Sequence, residues 1–177
     1  MLKQLSLVLG GLLAILFLIS FVLPGQWEVS REMQINAEPF GVHRLVGDLE
    51  TWNHWSPWGK GADPKAKLVV GPNPTAVGGR LEWTGDDIGS GSLVVTSTDE
   101  EKGVIFDLAL RGGREPVRGT LRYEIAPTGG TMVRFTLRGD VSSSPIGRYI
   151  GMMRGYTTGP DLVDALTRLK RQLERGF

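Results

Sequence analysis

Residues 121–137 read Leu121-Arg-Tyr-Glu-Ile-Ala-Pro-Thr-Gly-Gly-Thr-Met-Val-Arg-Phe-Thr-Leu137, two alternating runs on either side of a Pro-Thr-Gly-Gly break. Leu121, Tyr123 and Ile125 share one face of the first run and Val133, Phe135 and Leu137 one face of the second, with Arg122, Glu124 and Arg134 between them. A period of two around a glycine turn is the pattern of an antiparallel hairpin with one dry and one wet face. The alternation extends upstream through Val104, Phe106, Leu108 and Leu110, and through Leu81 and Trp83, with turns expected at Asp86-Asp87 and Gly112–Pro116. Asp107, Arg118 and Arg138 join the wet side.

Working outward, Trp27–Ile35 alternates as a first strand, with Val29, Arg31, Met33 and Ile35 on one face. Asn36-Ala37-Glu38-Pro39 supplies a helix start, and Phe40, Val42, Leu45, Val46 and Leu49 follow at helical spacing. Beyond Asp140, Ser144-Pro145 makes a cap and first turn. Thr158-Gly159-Pro160-Asp161 either opens a second helix or kinks one long helix ahead of Leu162, Leu166, Leu169 and Leu173. The order is strand, short helices, about six strands and a long C-terminal helix. This is an α+β arrangement in which a curved antiparallel sheet wraps a helix.

The composition bounds the function. The chain has 177 residues, 41% hydrophobic and 22% charged, the proportions of one globular domain. Its net charge of +1 disfavours a nucleic-acid partner held through phosphates. Zero cysteines remove disulfides, thiolate metal sites and cysteine nucleophiles together, and His43 and His54 carry neither H-x-x-x-H nor H-E-x-x-H spacing. No metal and no cofactor is expected, and the glycine segments 71–79 and 89–92 lack phosphate-loop or dinucleotide patterns. Nothing in the sequence fixes an oligomeric state.

Residues 1–24 stand apart. From Leu5 to Leu23 there is no charge, and at about 1.5 Å per residue the run reaches roughly 28 Å, close to the hydrocarbon thickness of a bilayer. The expectation is one transmembrane helix in residues 1–24 followed by a domain in residues 25–177, with membrane lipid as a partner. A cleaved signal sequence is the rival, but its apolar region is shorter and an A-x-A-like site is missing. The short positive N-terminus leans toward a single-pass cell-membrane protein with an extracytoplasmic domain.

The stretch Val29–Val42, the segment Asp48-Leu-Glu-Thr-Trp-Asn-His-Trp-Ser-Pro-Trp58, the run Val77-Gly-Gly-Arg-Leu-Glu-Trp83 and Leu166–Lys170 together resemble the START-like (SRPBCC) superfamily. Within it the chain is similar to bacterial polyketide cyclase/dehydrase and lipid-transport-type proteins over residues 27–175. The resemblance implies a helix-grip fold with a hydrophobic cavity between the sheet and the C-terminal helix, able to hold a lipid, sterol or polyketide-like molecule. It implies no reaction, because members include carriers, cyclases and stress proteins.

Placed on that frame, the dry-face residues Trp83, Phe106, Leu108, Tyr123 and Phe135, with Met153, Leu162 and Leu166 from the last helices, are the expected ligand lining. Trp52 and Trp58 either line the mouth or plug the end of the grip, and Trp55 is expected to be structural. Arg31 falls on an apolar face and needs a partner: an anionic headgroup, a protein carboxylate or water. Arg118, Arg122, Arg134 and Arg138 read as a solvated face interleaved with Glu124 and Asp107. No catalytic residue is assigned. An enzyme of the cyclase or dehydratase kind would need His54, Asp48 or Tyr123 in the pocket, and a module with a filled core would need no ligand.

Overall fold

The computed structural model describes residues 2–110 and 116–175. Chain order gives helix α1 (Leu2–Ser20), strand β1 (Gln26–Ile35), helices α2 (Pro39–Val46) and α3 (Trp52–Trp55), and strands β2 (Lys67–Val70) and β3 (Arg80–Gly85). Strands β4 (Gly89–Asp99), β5 (Gly103–Leu110), β6 (Pro116–Ile125) and β7 (Thr131–Asp140) follow, then helix α4 (Pro145–Glu174). The seven strands form one sheet in the order β1-β7-β6-β5-β4-β3-β2, every neighbour antiparallel. The hairpin read from residues 121–137 is β6–β7, registered Leu121 to Phe135 and Tyr123 to Val133. The turn expected at Gly112–Pro116 falls on residues 111–115, outside the described residues.

Alternation decides the faces. In β7, Val133, Phe135 and Leu137 are buried while Arg134 and Arg138 are exposed, and the dry side of the sheet meets α4. The sheet curves tightly because glycines stand opposite rings. Gly91 pairs with Trp83 and Gly119 with Phe106, and each ring lies where the glycine's Cβ would have been. An aromatic ring laid over a cross-strand glycine fills the space the missing side chain leaves.

Helix α4 is continuous through Pro160, so the single long helix is the one that forms. Ser144 caps it, its Oγ accepting from the Gly147 N–H at 2.9 Å, and Pro145 occupies the first turn. Its direction follows β1: Gly151 sits against Trp27, Arg31 against Gly159, Lys170 Nζ donates to the Gln34 carbonyl (2.9 Å), and Glu174 accepts from the Asn36 N–H (3.0 Å). A seven-stranded antiparallel sheet gripping one long helix is the expected α+β helix-grip architecture.

The N-terminal segment departs from expectation. Helix α1 ends at Ser20, and Phe21–Leu23 form a turn. Among the described residues no helix is long and apolar enough to cross a membrane. The span expected from Leu5 to Leu23 is corrected accordingly: the uncharged helical part runs from Leu5 to Ser20, about 24 Å against a hydrocarbon layer of about 30 Å. Its apolar side chains are nonetheless outside the core, with Leu7 81% and Val8 70% exposed.

Candidate ligand-binding cleft

Between the sheet and the middle of α4 the grip opens to solvent through a cleft of about 530 Å³. Its apolar walls are Trp58, Ile88, Leu110, Leu137 and Leu162, and Asp87, Arg154, Thr158, Asp161, Asp164 and Arg168 supply the polar rim. Five parts of the fold hold it. The segment after α3 gives Pro57, Trp58, Gly61 and Ala62, the β3–β4 turn and the start of β4 give Asp87, Ile88 and Ser90, β5 gives Leu110, β7 gives Leu137, and α4 gives one side of its helix.

Asp63 ties the first two walls together. Its buried carboxylate accepts from the Asp87 N–H through Oδ2 and the Lys65 N–H through Oδ1, both at 2.9 Å. Those donors hold the acid below the usual carboxylate range. Lys65 Nζ reinforces the join by pairing with Asp86 at 2.9 Å. On the helix side Arg168 Nε donates to the Trp55 carbonyl (3.2 Å) and Nη2 to the Ser56 carbonyl (3.3 Å), which pins the aromatic segment to α4. Burial, with Asp164 nearby, pushes the Asp161 carboxyl up from its ordinary value, opposed by Arg168. The rim therefore presents a carboxyl drawn toward its neutral form beside a fixed guanidinium.

Of the residues expected to line the cavity, Trp58 and Leu162 do so. Trp52, Trp83, Phe106, Phe135 and Leu166 are fully or almost fully buried and pack on one another instead. Trp58 stacks on Trp83 (centroids 5.1 Å apart) and on Trp52 (6.1 Å), while Phe106 meets Trp52 edge-on at 5.2 Å. Trp52 Nε1 donates to the Val46 carbonyl (2.9 Å) and Trp55 Nε1 to the Leu45 carbonyl (3.3 Å), so both rings are structural plugs. The centre of the grip is thus occupied by the protein's own rings, and open volume is displaced toward α4. Leu108 is also buried, and Met153 is 61% exposed and faces outward.

The remaining candidates disperse. Tyr123 Oη lies 3.4 Å from His43 Nδ1 near the β4–β5 turn, where burial raises the phenol and lowers the imidazole from their ordinary values. His54 borders a surface dip with Arg168, Arg171 and Arg175, and Asp48 accepts the Glu50 N–H in a local turn. Arg31 donates to the Ser30 carbonyl (2.7 Å) and to the Gly155 carbonyl of α4 (3.4 Å), a wedge between strand and helix rather than a cleft residue. Arg118 pairs with Asp107 at 3.0 Å and Arg134 with Glu32 at 2.9 Å, Arg138 pairs with Glu28, and these cations with Arg31 and Arg122 border a second hollow of about 820 Å³. Among the described residues no three His, Asp or Glu side chains stand together to hold a metal ion.

The sequence reading missed the cleft's polar side: Arg154, Thr158, Asp161 and Arg168. Their spacing of four, three and seven is a helical stripe beside Leu162 and could have been read as such, but a charged stripe on a helix ordinarily faces solvent.

A long helix held in a curled antiparallel sheet, with a part-apolar cleft between them, defines a helix-grip domain. The chain belongs to the polyketide cyclase / dehydrase and lipid transport family, which matches residues 26–174. In fold it is similar to an uncharacterized protein of Rhizobium leguminosarum (TM-score 0.63, 17% identity, 85% of this chain and 96% of that one). A protein of Mesorhizobium loti aligns with TM-score 0.60 and 19% identity over 85% of this chain and 98% of that one. The di-domain ARO/CYC StfQ from the steffimycin biosynthetic pathway aligns with TM-score 0.63 and 10% identity, over 85% of this chain and 51% of that one. No curated protein matches the sequence.

Proposed function

We propose that this domain binds a small hydrophobic molecule of lipid or polyketide type, its body against Trp58, Leu110, Leu137 and Leu162 and its polar end at Asp161 and Arg168. The observation that carries this reading is the cleft itself, about 530 Å³ with an apolar wall and a few convergent polar groups, within the range of about 300–1,000 Å³ of small-molecule sites. Desolvation drives such binding at about 25 cal/mol per Å² of apolar area, and the rim sets orientation. The family supports the ligand class at that level of detail.

Membrane attachment is part of the proposal. Helix α1 is apolar around its circumference and exposed, which suits hydrocarbon and not water. At about 24 Å the helix enters the hydrocarbon layer of about 30 Å without crossing it, and Phe21–Leu23 add apolar depth at its end. Attachment from the extracytoplasmic side follows the weak charge bias of the N-terminus.

Native mass spectrometry of the intact chain in mild detergent, with extraction of the released molecule, tests the reading. A stoichiometric apolar molecule is expected in the wild type and lost in Leu110→Trp, which fills the cleft from a half-buried wall position. No molecule in either protein overturns it. A cyclase-type reaction at the same place has one group in its favour, the Asp161 carboxyl, which burial and Asp164 push up from its ordinary value. That reading predicts a changed mass of the extracted molecule in Asp161→Asn.

A further inference from the structure

The outward side of α4 changes character at Pro160. Before it, Ile146, Ile150 and Met153 recur at helical spacing, flanked by Met152 and Tyr156, and all five are 50–86% exposed. The opposite side carries Gly147, Gly151 and Gly159, buried against the sheet. Between Val141 and Pro160 there is no Asp or Glu, and Arg148 and Arg154 are the charges. After it, the exposed side chains are mostly charged, Asp161, Asp164 and Arg171 among them, with Val163 39% exposed. The first half of α4 therefore has two apolar sides, and the domain covers one of them.

What covers the other is indicated by its neighbour. Arg148 Nη1 donates to the carbonyls of Ser20 (3.2 Å), Phe21 (3.3 Å) and Leu23 (3.0 Å), while Nη2 reaches Ser142 (3.0 Å). Tyr149 Oη donates to the Leu16 carbonyl at 2.5 Å. The last turn of α1 is thereby fastened to the first turns of α4, and whatever phase receives α1 meets Ile146 and Ile150 next.

We propose that residues Pro145–Thr158 lie on the surface of the bilayer that holds α1, with Ile146, Ile150, Met152, Met153 and Tyr156 sunk among headgroups and upper acyl chains. Charge argues for lipid: the segment is purely basic where anionic headgroups gather. Tyrosine supplies an apolar body with a polar tip and methionine an adaptable one, both fitted to the interfacial layer. The inference rests on membrane attachment through α1 and extends it. Because Arg154 and Thr158 also border the cleft, the mouth opens at the lipid surface, and an apolar ligand passes between bilayer and cleft without crossing bulk water.

The full chain has no cysteine, so Ile150→Cys and Met153→Cys each take a single environment-sensitive fluorophore at an exposed position, with Lys102→Cys on the β4–β5 turn as the reference. Each labelled chain is reconstituted into phosphatidylcholine–phosphatidylglycerol vesicles containing acyl-chain spin-labelled lipid. Fluorescence at positions 150 and 153 is expected to fall to about half, as for a group 5–10 Å into the interface, and that at 102 to stay unchanged. A chain that floats with the vesicles but shows no quenching at 150 and 153 overturns the inference and leaves α1 attachment standing. A chain that does not float overturns both. Excimers between pyrene labels at 150, in place of lipid quenching, mean that a second copy covers the face, which also overturns it.

Discussion

Single atoms decide how tightly the rings of this core lie. Gly119 has no room for a methyl group because the Phe106 ring occupies the place. Gly119→Ala is expected to destabilise the domain by about 1–3 kcal/mol through overpacking, read as a lower denaturant midpoint with an unchanged slope. Asp63 decides the position of the cleft walls. Its carboxyl is held below the ordinary range by backbone donors, so the folded form favours the ionised state more than the unfolded chain does. That stabilisation is complete above the ordinary carboxylate value and is lost as pH falls through the lowered one. Asp63→Asn should melt below the wild type at neutral pH, and the gap should narrow on acidification, in a series of Tm measurements against pH. At this scale the sequence reading put Trp58 and Leu162 in the expected lining, and both border the cleft. It was silent on Asp161 and Arg168, because a charged helix residue becomes a cleft residue only when a sheet curls up beside it.

Among elements, the strands were readable because each has one wet face, and their period of two survives in the residue types. The dry faces were legible as dry and not as wall or core: Trp83, Phe106 and Phe135 would alternate identically in either role, and only their mutual stacking separates the two. Helix α4 shows the reverse problem. Pro160 reads as the start of a second helix or as a kink in one, and the helix continues, because the carbonyl that loses its donor belongs to Tyr156, which is 86% exposed and lies outside the packed core. Its glycines divide into two kinds. Gly155 has no neighbour within 4 Å where a Cβ would stand, whereas at Gly159 the Arg31 guanidinium is in the way. Gly155→Ala should raise stability by about 0.5–1 kcal/mol through helix propensity, and Gly159→Ala should gain less, because the flexible Arg31 guanidinium must swing aside to admit the methyl group. A larger upward shift of the urea midpoint at 155 than at 159 would bear this out.

For the molecule as a whole, three apolar territories stand out: the buried core, the sides of α1 and the outer flank of α4. The first was legible from alternation and the second from an uncharged run. The third was hidden because Met153 read as part of the ligand lining, and a helix periodicity does not say which of two apolar sides is covered. Removing residues 1–24 should shift the protein from the pelleted membrane fraction toward the supernatant without unfolding it, because among the described residues none of α1 belongs to the buried hydrophobic core. Fractionation together with far-ultraviolet circular dichroism checks both halves of that statement.

Trp52, Trp58 and Trp83 stand in a row with ring planes 17° and 25° apart, and among them Trp58 reaches the cleft. Indoles this close share their electronic excitations, so a small rotation of the middle ring changes the absorption and circular dichroism of the whole row. The protein therefore carries its own optical sensor at the cleft wall, and a colourless guest pressing on one tryptophan would register in the spectrum of three.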